Sequence, residues 1–302
     1  MSEKQKHFDV IIIGGSYAGL SAAMALGRSR RKVLIIDAGK PCNRQTPHSH
    51  NFITHDGEQP AHIAAKAKEQ VLRYPTVTLH EGMATMAVKR ENDFEISTDH
   101  GSTFHARKVL LATGISDQMP NITGFAECWG ISALHCPYCH GYEIADKHFG
   151  VLAHGENAFE MSRLLAHWAN QLTVFTNGAH GLSPVQLTKL QAHNITLIET
   201  EVKEVQHENG YLHHLALADG TTYAIDALFA RLPYLQHSDS AKQLGCTLNE
   251  AGLIAVNDFQ LTSVEGVYAA GDNCSMRALS VAIASGTKAG AFINKAMIDE
   301  EF

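Results

Sequence analysis

Between Phe8 and Asp37 the chain reads FDVIIIGGSYAGLSAAMALGRSRRKVLIID. The run from Val10 to Ile13 is uniformly apolar, as in a strand buried on both faces, and Gly14 and Gly15 supply a tight turn. Leu20, Ala23, Met24 and Leu26 then recur at helical spacing before a second apolar run. Strand, turn, helix and strand in about thirty residues make a βαβ unit, which commits the chain to a parallel sheet covered by helices. Within it Gly14, Ser16 and Gly19 hold the G-x-G-x-x-G positions, with serine in the middle. Such positions serve a tight turn, close approach of backbone to a pyrophosphate, and close helix packing. The phosphate would sit on the helix N-terminus, where N–H groups and the helix dipole favour an anion. A glycine pattern alone also fits an ordinary α/β turn. Asp37, closing the second strand where an acidic residue meets a ribose hydroxyl, favours a dinucleotide.

A second unit of this kind is HFGVLAHGENAFEMSRLLAHWANQLTVFTNG. It predicts a strand to Ala153, a turn at Gly155, a helix carrying Phe159, Leu164, Leu165 and Trp168, and a strand from Leu172 to Phe175. Its fingerprint is reduced to Ala153, Gly155 and Ala158, and its second strand is followed by Thr176, Asn177, Gly178, Ala179 and His180. An NAD site wants a carboxylate there and an NADP site an arginine. The absence of both makes NAD(P)H doubtful as a cofactor. Two further strands run into glycine turns: KVLLATG, and VEGVYAAGD, where Gly271 and Asp272 precede a helix rich in small residues from near Leu279. Asp272 also fits a helix N-cap. At 302 residues the chain suits two domains, and its two βαβ units are a loose internal duplication.

A composition 45% hydrophobic and 18% charged is that of a globular protein, and a net charge of −7 gives no basic footprint for nucleic acid. No apolar run reaches the ~20 residues of a membrane span, and the lead MSEKQKHFDV has no signal-peptide pattern. A cytoplasmic protein without membrane attachment is expected. In that compartment a close cysteine pair is more often metal-binding or catalytic than structural. The pair stands in HCPYCHGYE, residues 135–143, which matches haem attachment, half a zinc site or a redox dithiol. Haem attachment suits exported chains. A closed zinc site wants a second ligand pair, whereas Cys42, Cys128, Cys246 and Cys274 are solitary. The dithiol reading leads. His48, His50 and His55 fit polar packing or substrate contact better than a metal, and no metal is expected.

IIIGGSYAGLSAA, LLATG, the C-x-x-C pair and GVYAAGD, in that order over nearly the whole chain, resemble the low-molecular-weight thioredoxin reductases. The resemblance implies an α/β fold of two nucleotide-binding, Rossmann-like domains. A discontinuous FAD domain would span residues 1–117 and 237–302, with an inserted NAD(P)-type domain, 118–236, carrying the dithiol. It places Gly14, Gly15, Ser16, Ala18 and Gly19 at the FAD pyrophosphate, Asp37 and Ala38 at the ribose, and Asn51 near the isoalloxazine. Ala112, Thr113 and Gly114 would form a second edge, and Gly271 and Asp272 the ribityl contact. Arg277, Ala278 and Leu279 fall where the family has R-Q-A, so glutamine has become alanine. Cys139 would face the flavin and Cys136 the substrate, in a homodimer.

The family motif continues C-x-x-C-D-G, and here the aspartate is replaced by His140. With CNRQTPHSHNFITHDG at 42–57, this looks more like the branch containing fungal dithiol oxidases that close disulfides in metabolites such as gliotoxin. Ferredoxin-linked relatives without nicotinamide binding form another branch. His140, with an ordinary pKa near ~6.5, is suited to move a thiol proton. Glu143 could orient it if both lie on one helix face; the plainer alternative is a turn-capping histidine and a solvated acid. The substrate is expected to be a small-molecule dithiol or disulfide, or a thioredoxin-like protein. An NADPH-dependent thioredoxin reductase and a non-enzymatic, flavin-bound redox sensor remain as rivals.

Overall fold

A computed structural model describes residues 6–302. The chain divides into two compact units, the first made of the residues up to Arg44, Ala61–Ser116 and Tyr234–Phe302, the second of Gln45–Pro60 and Asp117–Pro233.

In the first unit the predicted βαβ is strand His7–Ile13, helix Tyr17–Arg28 and strand Val33–Asp37. The two strands pair in parallel, Ile11 opposite Leu34, and every residue from Val10 to Ile13 and from Val33 to Ile36 is buried. The sheet runs Val77–Glu81, Val33–Asp37, His7–Ile13, Thr103–Leu111, with Phe94–Thr98 and Ala84–Lys89 continuing it antiparallel. Strand Thr103–Leu111 alternates in burial over its first half and is continuously buried from Lys108 onward. The first half pairs with the antiparallel hairpin; the second is flanked by parallel strands on both sides, His7–Ile13 and Val267–Ala269. Ile13, Leu111 and Ala269 are in register, so the turns after them emerge together at one edge.

Helix Leu279–Glu301 packs along the first helix. The approach depends on missing side chains: a Cβ on Gly286 would stand 2.1 Å from the Ala18 carbonyl oxygen. Its far end is tied to the sheet by Arg31, Arg107 and Lys108, which pair with Glu300 and Glu301.

The second unit holds five parallel strands in the order Thr196–Ile198, Gln171–Phe175, His148–Leu152, Ala227–Ala230, Ala133–Leu134. Helix Gly155–Leu165 covers this sheet through Ala158, Phe159, Met161 and Leu165, which join Phe149, Val151 and Phe229 in one core. The helix stops at Leu165, so Trp168 packs on that core from the following turn and Leu164 faces outward, contrary to the predicted stripe. An antiparallel sheet of Val202–Glu208, Tyr211–Leu217 and Thr222–Ala224 completes the unit. Among the described residues, no helix is long and apolar enough to cross a membrane.

Candidate flavin cradle and dithiol centre

The edge of the first sheet gathers most of the residues expected at FAD. Gly14 has φ of 107°, and a Cβ there would lie 2.2 Å from the Ala112 carbonyl oxygen, so the turn and Ala112 are in tight contact. A Cβ on Gly19 would meet the Gly14 oxygen at 1.9 Å. The Gly15 N–H donates to Asp37 Oδ1 at 3.1 Å. Ala18 is buried, and the Gly271 turn, at φ 88°, comes so close that a Cβ would stand 3.0 Å from that of Ala18. Thr113 is reached by Asn273, whose Nδ2 donates to the Leu111 carbonyl at 2.9 Å and lies 3.4 Å from Thr113 Oγ1. Asp272 is half-buried beside it.

Other expected residues have different surroundings. Ala38 is exposed beyond the second strand, and the Gly114 carbonyl accepts the His237 N–H. Ala278, not Asp272, is the N-cap of the last helix, which begins at Leu279, so the N-cap reading of Asp272 does not hold. Asn51 groups with the second unit, where its N–H donates to Asp56 Oδ1 at 2.7 Å. Two contributors were missed. Asn273 is fully buried with its Oδ1 unpartnered among the described residues, and Ser285 Oγ accepts the Gly271 N–H at 3.0 Å. Neither belongs to a glycine motif; a polar residue on the buried stripe of a small-residue helix was the only available signal for Ser285.

The cradle fits an FAD pyrophosphate and ribose. The first helix has no side-chain cap bond and no acid in its first turn, which suits an anion at its N-terminus. An ionised carboxylate accepts several hydrogen bonds, so Asp37 can hold Gly15 and a ribose hydroxyl together.

In the second unit, Pro137–His140 forms a single helical turn with Cys136 as its extended N-cap. This brings the Cys136 and Cys139 Sγ atoms into contact at 2.8 Å, longer than the about 2.0 Å of a disulfide bond. The thiols of Cys128, Cys246 and Cys274 are each pushed up by burial, Cys274 to about 12 with Asp272 adding to the effect. His140 follows Cys139 and is half-buried; burial first, then the nearby His50, push its imidazole down to about 4. The helical turn ends at His140, which removes the helix face that was to join Glu143 to it. Glu143 instead meets His50, Oε1 to Nδ1 at 3.2 Å.

The second nucleotide-type turn differs from the first. The Gly155 N–H, first in its helix, donates to the His180 carbonyl at 2.8 Å. Glu156 puts a carboxylate in the first helical turn and is held by Gln186 Nε2 at 2.6 Å. Asn177 Oδ1 accepts the Val202 N–H at 2.9 Å, and the His180 N–H donates to Glu199 Oε1 at 2.9 Å.

The pyridine nucleotide-disulphide oxidoreductase family model matches residues 8–286. The chain is 33% identical over 296 residues to thioredoxin reductase tcpT of Claviceps purpurea, covering 93% of this chain and 92% of that one. To thioredoxin reductase sirT of Leptosphaeria maculans it is 32% identical over 308 residues, covering 95% and 93%. A crystal structure of an oxidoreductase from Agrobacterium tumefaciens superposes with a TM-score of 0.91 at 36% identity, over 97% of this chain and 99% of that one. The chain belongs to the pyridine nucleotide-disulphide oxidoreductase family, as a thioredoxin reductase-like, FAD-dependent oxidoreductase with the two-domain Rossmann fold of that group.

Proposed function

We propose that this enzyme oxidises a small-molecule dithiol through a Cys136/Cys139 disulfide, without NAD(P)H. The observation that carries the reading is the second nucleotide turn. A pyrophosphate there would need the N–H groups that open helix Gly155–Leu165. The Gly155 N–H is already given to His180, and the Glu156 carboxylate repels a phosphate from the same end of the helix. No arginine follows strand Gln171–Phe175 to hold a 2′-phosphate.

A substrate thiolate attacks Cys136 Sγ, the bond to Cys139 breaks, and Cys139 leaves as a thiolate. The second substrate thiolate attacks the substrate sulfur of the mixed disulfide and releases Cys136. The substrate has then lost two electrons and two protons, and the pair has gained the electrons. FAD, when bound in the cradle, supplies the two-electron acceptor that reoxidises the pair, with dioxygen or another oxidant receiving the electrons finally. The raised thiols of Cys128, Cys246 and Cys274 are poor competitors for this exchange.

The relatives' names favour a second reading, reduction of a thioredoxin-like protein, for which NADPH would be the electron donor. Rapid anaerobic mixing of the flavin-loaded enzyme separates the two. Dithiothreitol should bleach the flavin absorbance and NADPH should leave it; bleaching by NADPH at a comparable rate overturns the proposal. Cys136→Ser should abolish dithiol turnover and keep the yellow flavin.

A further inference from the structure

An imidazole–carboxylate pair of the dithiol unit is built on His50, not on the histidine beside the cysteines. Gln45–Pro60 belongs to the same compact unit as the C-x-x-C turn, and within it the Ser49 N–H donates to the Glu58 carbonyl and the Gly57 N–H to that of Ser49, both at 2.8 Å. This small closed turn presents His50 with its side chain 18% exposed. Two carboxylates face the same ring nitrogen: Glu143 Oε1 at 3.2 Å and Asp56 Oδ1 at 3.8 Å from Nδ1. A carboxylate facing Nδ1 favours the tautomer that carries its proton there and leaves Nε2 to accept one, the arrangement by which a carboxylate makes a histidine a general base.

His140 lacks such support. Its imidazole is uncharged at neutral pH, and a proton leaving a thiol near ~8.5 would move steeply uphill to a ring pushed down to about 4. His50 is one cause of that depression, which places the two rings within electrostatic reach of each other. The titratable groups around His50 are Glu143, Asp56, His48 with its ring centroid 6.4 Å away, and His140, which directly follows Cys139.

We propose that His50, oriented by Glu143, is the base that takes the thiol proton at the Cys136/Cys139 centre. This assignment rests on the dithiol chemistry proposed above. A substrate S–H bond breaks, its proton goes to His50 Nε2, and the thiolate forms its bond to Cys136 Sγ as the Cys136–Cys139 bond breaks. His50 then releases the proton to solvent, ready for the second thiol. In the reduced protein the same base serves the Cys136 thiol, and Glu143 acts as a positioning residue.

The test uses flavin-loaded protein, reduced with a phosphine, and reads iodoacetamide alkylation of Cys136 from pH 5 to pH 10 by mass spectrometry. His50→Gln and Glu143→Gln should each move the inflection to higher pH and slow alkylation at pH 7 by about tenfold or more. In dithiothreitol oxidation His50→Gln should lower kcat/KM at pH 7 by roughly 10²-fold, and the loss should shrink toward pH 9. An inflection unmoved in both variants, or moved only in His140→Gln, overturns the assignment. Should His50→Gln lose its flavin, Glu143→Gln carries the test from a half-exposed position. A wild-type enzyme that oxidises no dithiol defeats the dithiol-oxidase reading, while the alkylation profile still decides the role of His50.

Discussion

His140 makes a measurable contribution to stability because it is held uncharged. Its folded pKa of about 4 lies below the ordinary 6.5, so between those values the unfolded chain binds the extra proton. The contribution is complete above pH 6.5 and is lost as pH falls through 4. Its upper bound is on the order of 3 kcal/mol, and partial solvent access reduces it. Urea unfolding of wild type and His140→Gln should therefore show the wild type losing more stability between pH 7 and pH 4.5; equal losses would remove the burial argument. The cysteines allow a second check at this scale. After reduction with a phosphine, iodoacetamide at pH 8 should label Cys136 and the exposed Cys42 and spare Cys128, Cys246 and Cys274, whose thiols burial has raised. Labelling of Cys274 ahead of Cys136 would contradict that order.

The paired helices Tyr17–Arg28 and Leu279–Glu301 couple the cradle to the end of the chain. Gly286 sits where a Cβ would enter the Ala18 carbonyl, and backbone cannot step aside as a flexible side chain can. Gly286→Ala should destabilise the first unit by about 1–3 kcal/mol and weaken flavin retention, read as unfolding midpoint and as FAD released on dilution. Normal values for both would show that the helices separate freely. Both helices were legible in the residue pattern because apolar and small residues recur along their buried stripes. What they touch was not: Ser285 holding Gly271, and Asn273 bridging Leu111 and Thr113, are contacts between distant segments that leave no local periodicity. The same limit applies to Glu143. A helix face shared with His140 required the segment to continue as a helix, and the turn instead closes at His140, with Glu143 beside His50.

At the scale of the molecule the two βαβ units were readable from glycine turns and apolar runs, yet their inequality became physical only in three dimensions. The first helix N-terminus has no acid in its first turn, while the second is met by the His180 carbonyl and carries Glu156. Sequence disclosed the missing arginine but not the occupied N–H, since His180 reaches Gly155 through a loop conformation that no local pattern encodes. This distinction bears on the proposed independence from NAD(P)H. If charge alone were lacking, Asn177→Arg with Ala179→Arg would restore attraction for a 2′-phosphate. Under the proposed reading, Gly155 bonded to His180 and a carboxylate in the first turn would still oppose a pyrophosphate. The double variant should therefore remain unbleached by NADPH in anaerobic mixing and should not enhance NADPH fluorescence. Adding Glu156→Gln removes the repulsion but not the His180 bond, so the triple variant should gain at most weak binding. Full flavin reduction by NADPH in the double variant would mean that the missing basic residues, not the occupied helix end, set the cofactor range.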